Sequence, residues 1–340
     1  MRKLLNTLYI TTPESYLSKD GMNVVISVNQ QEVFRIPIIN IEGIVTFGYM
    51  GASPGLMKLC SENNVSLTFL TPQGRFISRI QGATRGNVLL RIRQYKLSEQ
   101  NDWTLHVSKM MIAGKIQNYR NILRRFIRDY GENTTVSNAA KFLESFKQEL
   151  LHASNHQSLM GVEGMAANRY FEAFPCLMKQ QREGFPFSGR NRRPPKDAVN
   201  AMLSLAYTLI TNDVVSALET VGLDPYVGFL HTLRPGRPSL ALDMTEELRA
   251  YLGDRFVLSL INRRQITPND FISQGDQGVA MTDKGRRTFL TAWQNRKRET
   301  LLHPYLNEKI SVGLIPYVQA MLMARFIRDD IDDYPVFLIK

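Results

Sequence analysis

The chain has 340 residues, 44% of them hydrophobic, which is enough for two folded domains with a sizeable core. Its net charge of +11 and pI of about 9.6 favour a polyanionic partner, either nucleic acid or an anionic membrane surface. The sequence has no run of eighteen apolar residues and no signal-peptide pattern, which argues against a membrane span and against secretion. Cys60 and Cys176 form neither a disulfide framework nor a metal-type pair, so we expect a reduced, cytoplasmic protein.

The first 81 residues have the pattern of a β-domain. Asp20-Gly21 is a strong hairpin turn signal between the runs Tyr16–Lys19 and Asn23–Val28. A second hairpin is predicted over residues 65–80, and one short helix over Pro54–Glu62. Short strands at this spacing with one helix predict a compact β-rich domain over residues 1–81.

The strands predicted over Ile36–Phe47 are rich in apolar residues. A small sheet of this kind has edges and a face that need cover. We therefore expect the β-rich domain to pair two chains into a homodimer.

Beyond residue 81 the composition changes to a basic linker, predicted over residues 82–101, and then to helical periodicity over residues 102–340. The helices expected in this larger domain cover Trp103–Asp129, Val136–His152, Leu159–Gln180, Pro194–Val221, Met244–Arg264, Thr282–Thr300 and Asn307–Arg328. The sequence thus predicts an α+β fold, a small N-terminal β-domain followed by a larger all-α domain.

The stretch Val227–Arg249 carries one histidine and then three acids on a predicted helix. Asp243, Glu246 and Glu247 are spaced i, i+3 and i+4, so they share one helical face. His231 beside such a carboxylate cluster could hold a divalent metal. The alternative is that His231 is a buried core residue and the acids form a solvated face.

A further carboxylate, Glu163, lies among small residues in the segment GVEGMAA. Small neighbours let another element pack close and leave the carboxylate facing a cleft, where it needs a partner. Together with His231 and an acid from Asp243 or Glu246 it would supply oxygen, nitrogen and oxygen ligands, which suit Mg²⁺ or Mn²⁺. The alternative is an exposed acid near a helix start.

Basic side chains form three groups that could contact phosphates, because the arginine fork matches phosphate oxygens. Each could equally be a solvated charge. The groups are Arg190, Arg192 and Arg193 on one loop, Arg234 and Arg237 after the histidine, and Lys115, Arg120, Arg124, Arg125 and Arg128 on the first long helix. We expect the loop arginines to hold phosphates and not to ligate the metal.

Three segments together resemble one protein family. They are GVEGMAANRYF with Glu163, GFLHTLRPGRPSLALD with His231, and DMTEELR with Glu246, and they resemble the CRISPR-associated spacer-acquisition protein Cas1. The stretch FSGRNRRPPKDAVNAMLSLAYTL is similar to the type I subtype C branch. The resemblance implies Glu163, His231 and Glu246 as catalytic metal ligands, with Asp243 as a supporting acid. Many relatives read Leu-Met-Glu where this chain has Met244-Thr245-Glu246, which keeps the acid in place.

The resemblance also implies an activity and its partners. It implies a metal-dependent DNA endonuclease and integrase that joins a prespacer 3′-hydroxyl to a CRISPR repeat by transesterification. Two homodimers would flank a dimer of the partner protein Cas2 and hold a double-stranded prespacer. The competing interpretations are a non-catalytic nucleic-acid-binding scaffold and a hydrolase of small phosphoesters. The second of these leaves the charge of +11 without a role.

Overall fold

A computed structural model of the chain describes residues 6–48, 50–72, 74, 76–80, 82, 87–191 and 194–339. The chain divides into two compact units. The first comprises Met1–Arg85, Met281–Glu299 and Ser311–Leu314, and the second Gly86–Ala280, Thr300–Ile310 and Ile315–Lys340, in each case as far as these residues are described. N-terminal β-sheets followed by mostly helical structure confirm the predicted α+β class.

The first unit contains two four-stranded sheets. Its elements are β1 (Thr7–Ile10), β2 (Ser15–Asp20), β3 (Asn23–Val28), β4 (Gln31–Pro37), β5 (Gly43–Phe47), β6 (Gly51–Ala52), α1 (Pro54–Glu62), β7 (Ser66–Leu70) and β8 (Phe76–Ile80). One sheet has the order β1-β5-β7-β8 and the other β4-β3-β2-β6. Strand β1 pairs parallel with β5, and β5 parallel with β7, whereas both predicted hairpins, β2 with β3 and β7 with β8, are antiparallel.

Local signals explain these elements. The β2–β3 register pairs Asp20 with Asn23, and Gly21 in the turn has a φ of 57°, which glycine adopts without steric cost. Helix α1 begins after Ser53, whose hydroxyl accepts from the Leu56 N–H, with a proline in its first turn. Both sheets and α1 contribute to one core, in which the fully buried members are Leu17, Val24, Ile38, Ile44, Leu56, Cys60 and Leu67.

The apolar strands expected to form a dimer surface differ from each other in exposure. Strand β5 is buried along its whole length because it is an inner strand between β1 and β7. Strand β4 lies at the edge of its sheet and exposes Val33 and Phe34. Apolar surface that needs cover is therefore found on β4, not on β5.

The remaining elements are mostly helices. They are α2 (Val88–Ser98), α3 (Asn101–Tyr130), α4 (Thr134–His152), α5 (His156–Leu177), α6 (Ala198–Val221), α7 (Ser239–Leu248), α8 (Arg255–Asn262), β9 (Phe271–Ser273), β10 (Val279–Met281), α9 (Asp283–Arg298), β11 (Thr300–Leu302), β12 (Lys309–Ser311) and α10 (Ile315–Ile327). Helix α9 belongs to the first unit, and helices α2–α8 and α10 to the second. In the second unit α3 packs against α4, α5 and α7, and α6 packs against α7 and α10.

The predicted division into residues 1–81, 82–101 and 102–340 differs from the structure in two places. Helix α2 lies inside the predicted linker, and its Gln94 side chain is fully buried, donating to the carbonyls of Asp224 and Val227 at 2.8 Å. Helix α9 belongs to the first unit, where Arg286 lies over the ring of Phe47. Both differences come from contacts distant in sequence, which composition does not reveal.

Helix α6 is long and apolar enough to cross a membrane by length and composition. In the structure 67% of its most apolar window is buried inside the protein. Burial of this extent is typical of the central helix of a helical core.

Candidate metal centre

The three acids of α7 have three different partners. Asp243, Glu246 and Glu247 are all buried, so they do not form the solvated helix face considered above. Asp243 contacts the His231 loop, Glu246 contacts Lys115 and Arg249, and Glu247 contacts the C-terminal segment, defined here as Tyr334–Ile339. Helix α7 therefore carries the candidate ligand Glu246 together with two buried acids, Asp243 and Glu247, that hold neighbouring segments in place.

Asp243 fixes the backbone and the ring of His231. Its carboxylate accepts the N–H groups of Phe229 at 2.6 Å, Leu230 at 3.0 Å and His231 at 2.9 Å, and it contacts Nδ1 of His231 at 2.6 Å. A carboxylate only accepts, so Nδ1 carries the proton and the other ring nitrogen, Nε2, keeps its lone pair when the ring is neutral. A Cβ added at Gly228 would lie 2.5 Å from Asp243 Oδ2, so the loop approaches α7 as closely as glycine permits.

The imidazole Nε2 points toward Glu246, whose Oε1 is 3.9 Å away. Lys115 of α3 donates to Glu246 Oε2 at 2.6 Å and also to Glu163 Oε1. Arg249 contacts Glu246 Oε1 at 2.7 Å. The structure thus brings Glu163, His231 and Glu246 to one place, on three different elements, as the sequence predicted.

The surroundings of Glu246 keep its carboxylate ionised. Burial by itself would raise the pKa of Glu246, but the charges of Arg249, Lys115 and His231 hold that pKa below the usual range of a glutamate. Glu163 and His231 keep side-chain exposures of 18% and 13%, whereas Glu246 keeps 4%. Solvent therefore reaches the cluster of Glu163, His231 and Glu246 from the side of Glu163 and His231.

The small residues around Glu163 differ in their surroundings. Ala166, one helical turn beyond Glu163, is 1% exposed, as expected where another element packs close. A Cβ added at Gly161 or Gly164 would meet nothing within 4 Å. The two glycines therefore have no close-packed neighbour from the described part of the chain at their Cβ positions.

Glu247 anchors the C-terminal segment behind the site. Its carboxylate accepts the Tyr334 hydroxyl, the Phe337 N–H at 2.5 Å and the Gln319 amide at 3.1 Å. Burial raises the pKa of Glu247 to about 7, although these hydrogen bonds act to lower it. Asn118 of α3 donates to the carbonyls of Glu247 and Phe337, which links the segment to α3 as well.

A π-helical segment, Arg249–Asp254, joins α7 to α8. Such segments are rare and are frequently found at functional sites. Here the segment places Arg249 against Glu246 and Asp254 against the Tyr207 hydroxyl, at 2.5 Å. Burial raises the pKa of Asp254 to about 6, against the lowering effect of the hydrogen bond from Tyr207.

The raised pKa of Asp254 predicts a pH-dependent stability. The folded protein binds more protons than the unfolded chain between the pKa values of 3.8 and about 6, so this group's stabilisation is present below that window and is lost as pH rises through it. Asparagine does not titrate, so Asp254→Asn lacks this loss. Between pH 4 and pH 7 the unfolding free energy of wild type should therefore fall by up to about 3 kcal/mol relative to that of the variant. Urea unfolding in a Trp293→Phe background, in which Trp103 reports on the helical unit, measures it. Parallel pH profiles for the two proteins would contradict the expectation, and Asp276→Asn, at an exposed position, is the control.

The predicted phosphate contacts lie in different environments. Arg190 is half-buried and donates to Asn200 Oδ1 at 2.6 Å and to Ser204 Oγ at 3.1 Å, which ties its loop to α6. Arg234 is exposed and Arg237 is partly exposed on the loop after His231. Arg192 and Arg193 lie outside the described residues.

The residues on α3 also separate into two classes. Lys115 is 2% exposed and belongs to the site, so the expectation of a contact along a surface DNA track does not hold for it. Arg120 pairs with Glu144, and Arg125 and Arg128 pair with Asp129, while Arg124 is exposed. Sequence reasoning named Lys115 but placed it on the surface.

The donor set fits a divalent cation. Two carboxylates and an imidazole whose second nitrogen is held by an acid are the ligand chemistry and support typical of Mg²⁺ or Mn²⁺ sites. Within the described residues no three His, Cys, Asp or Glu side chains are grouped as a metal ion would require, and the Lys115 ammonium contacts both Glu163 and Glu246. Glu163, His231 and Glu246 are the residues that would hold the metal, with Asp243 orienting the imidazole.

Several solved structures share this fold. A casposase bound to an integration product has a TM-score of 0.84 at 22% identity, covering 97% of this chain and 92% of that one. A Cas1 protein from Thermotoga maritima has a TM-score of 0.83 at 22% identity, covering 98% and 100%. The Cas6-RT-Cas1–Cas2 complex has a TM-score of 0.82 at 20% identity, covering 98% of this chain and 36% of that one.

Sequence comparison identifies the family. A CRISPR-associated endonuclease Cas1 of Chlorobaculum tepidum is 48% identical over 99% of both chains. Another, from Rhodospirillum rubrum, is 44% identical over the full length of both. The family described as CRISPR associated protein Cas1 matches residues 8–295. This chain belongs to the Cas1 family.

Proposed function

We propose that this protein is a metal-dependent DNA endonuclease and integrase that inserts new spacers into a CRISPR array. The observation that carries the proposal is the convergence of Glu163, His231 and Glu246 beside an open surface, with His231 oriented by Asp243. The Cas1 endonucleases among its relatives and the casposase fold support the same activity.

The chain's own residues have defined tasks in this proposal. Glu163, His231 and Glu246 would hold Mg²⁺ or Mn²⁺, which when bound supplies polarisation of a phosphoryl oxygen and neutralises charge on the leaving oxygen. Asp243 keeps the proton on Nδ1, so that Nε2 faces the site. Arg249 balances the charge of Glu246. The nucleophile is a DNA 3′-hydroxyl, and positioning it in line is the protein's main contribution.

DNA is the proposed substrate, both as a double-stranded prespacer and as the CRISPR repeat. The charge of +11 supplies the attraction, and exposed Arg234 with partly exposed Arg237 would bind phosphates directly after the His231 position. Arg190 would act by holding its loop against α6, since its guanidinium bonds Asn200 and Ser204. Arg192 and Arg193 stay proposed phosphate contacts of the same loop.

Assembly is proposed with Cas2 and with a second copy of this chain. A Cas1–Cas2 assembly among the related folds supports the first partner. Exposed Val33 and Phe34 on the edge strand β4 support the second, and light scattering should give twice the chain mass of 38.9 kDa. A single-chain mass at micromolar concentration would contradict it.

We also propose the subtype of the protein and its compartment. The stretch FSGRNRRPPKDAVNAMLSLAYTL supports the type I subtype C branch. Both cysteines are free, which agrees with a reducing cytoplasm as the proposed compartment.

The test is strand transfer on a branched DNA that mimics a half-integrated spacer. With Mn²⁺ we expect joining of the 3′-hydroxyl strand and cleavage of the branch, both abolished by EDTA. Glu246→Gln removes the ligand charge and should be inactive while still binding the DNA. Binding by wild type with no EDTA-sensitive cleavage or transfer would instead identify a non-catalytic scaffold.

A further inference from the structure

We propose that Lys115 is a built-in counter-cation that competes with the divalent metal for the carboxylates of Glu163 and Glu246. The inference rests on the proposed function and deepens it. Its basis is that one ammonium, 2% exposed, donates to Glu163 Oε1 and, at 2.6 Å, to Glu246 Oε2. These are two of the three side chains that would hold the metal.

The buried acids need a positive charge whether or not metal is present. An ionised carboxylate without a cation is costly to bury, because burial removes its water. Glu246 is 3% exposed, and Asp243, fully buried three residues earlier, adds a second negative charge nearby. Lys115 therefore preserves the arrangement of α3, α5 and α7 in the metal-free protein.

The ammonium and a metal ion cannot both use the same oxygens at full strength. A lysine ammonium is a compact point charge, and its repulsion of a nearby dication is strong in a poorly hydrated site. Metal binding consequently requires Lys115 to move away from at least one carboxylate. The Tyr119 ring, one helical turn along α3, already has its centroid 5.7 Å from Nζ, so the ammonium can keep this cation–π contact when it leaves a carboxylate.

Arg249 differs from Lys115 in this respect. Its guanidinium contacts both oxygens of Glu246, at 2.7 and 2.9 Å, and it lies three residues further along the same chain segment. Its ion pair is with Glu246 and Glu163 acts on it only at a distance, whereas Lys115 contacts both Glu246 and Glu163. Lys115 thus holds together two of the acids that would hold the metal.

The experiment measures Mn²⁺ binding by titration calorimetry and thermal unfolding in EDTA and in Mn²⁺. Lys115→Met should lower the melting temperature in EDTA, bind Mn²⁺ about ten-fold more tightly than wild type, and show a larger Mn²⁺-induced stabilisation. Lys109→Met on the same helix is the matched control, because Lys109 is only partly buried there and donates to the Leu151 carbonyl instead of to Glu163 or Glu246. It should change the Mn²⁺ dissociation constant by less than about two-fold.

Lys115→Arg provides a second test that does not depend on the methionine variant folding. Arginine keeps the positive charge and donates two hydrogen bonds to a carboxylate, so it should compete more strongly with the metal. Mn²⁺ should therefore bind about ten-fold more weakly than to wild type. Mn²⁺ affinity equal to or above wild type in Lys115→Arg, or at or below wild type in a folded Lys115→Met, overturns the inference.

Mn²⁺ binding by wild type separates a failure of the competition from a failure of the proposed metal site. Stoichiometric Mn²⁺ binding by wild type that disappears in His231→Ala locates the ion at this site. Absence of binding in wild type and in both Lys115 variants would reject the metal site itself, and with it the competition.

Discussion

Replacing His231 by alanine is expected to lower the rate of metal-dependent strand transfer by about a thousand-fold or more. The change removes the imidazole that Asp243 orients toward Glu246, and a metal contributes several kcal/mol to charge stabilisation in phosphodiester chemistry. DNA affinity should stay within about two-fold, because the change removes a proposed metal ligand and leaves the arginines that would contact phosphates in place. Single-turnover strand transfer and fluorescence anisotropy measure the two quantities.

Arg234→Gln is the matched comparison, three residues along the same loop. It should weaken binding to DNA of any sequence and reduce the slope of log affinity against log salt by about one unit. Transfer on saturating DNA should be affected far less than in His231→Ala. Loss of folding in His231→Ala, detected by circular dichroism, or an equal loss of DNA affinity in both variants, would contradict the separation of catalysis from phosphate binding.

Elements with strong local signals were predictable from the sequence. The β2–β3 hairpin follows from its turn, and α1 from Pro54 after a capping serine. Helix α2 was not predicted because its apolar positions do not form one buried stripe. The exposed apolar residues are Val88, Leu89, Ile92 and Tyr95. Helix α7 begins at Ser239, earlier than the predicted Met244, and Pro238 before it was a start signal that could have been used.

The convergence of Glu163, His231 and Glu246 was predicted from acid spacing together with a family resemblance, and spacing alone left the alternatives open. The role of Asp243 as a four-fold acceptor depends on a loop conformation that no periodicity encodes. Lys115 was misplaced because a lysine is normally solvated. Its position was nevertheless readable, since Met111 and Tyr119, four residues to either side, are buried on α3.

Glu247 shows a different limit of sequence reasoning. Its spacing put it with the metal acids, but its carboxylate faces the C-terminal segment, which lies beyond the last predicted helix, Asn307–Arg328. A partner about ninety residues away cannot be found from local pattern. The consequence is that α7, which carries Glu246, depends on a segment at the far end of the chain.

Phe337→Ala is therefore expected to lower the unfolding free energy of the helical unit by about 3–5 kcal/mol, the usual effect of removing a buried aromatic side chain. Phe337 is 1% exposed, its N–H is donated to Glu247, and its carbonyl accepts from Asn118. Close packing leaves little room for the segment to adjust, since a Cβ on Gly114 would lie 3.0 Å from Val336 Cβ. Urea unfolding followed by Trp103 fluorescence, again in the Trp293→Phe background, measures the change.

Leu338→Ala, at the next position, is the control. Leu338 is 36% exposed, so its truncation should cost less than about 1 kcal/mol. Deleting residues 334–340 should exceed the Phe337→Ala effect, because it also removes Tyr334 and leaves the Glu247 carboxylate buried without two of its donors. A loss of that size approaches the whole stability of an ordinary domain, and the truncated chain should accumulate as insoluble protein. Equal stability of Phe337→Ala and Leu338→Ala, or a soluble and cooperatively folded deletion, would show that α7 is held without the C-terminal segment.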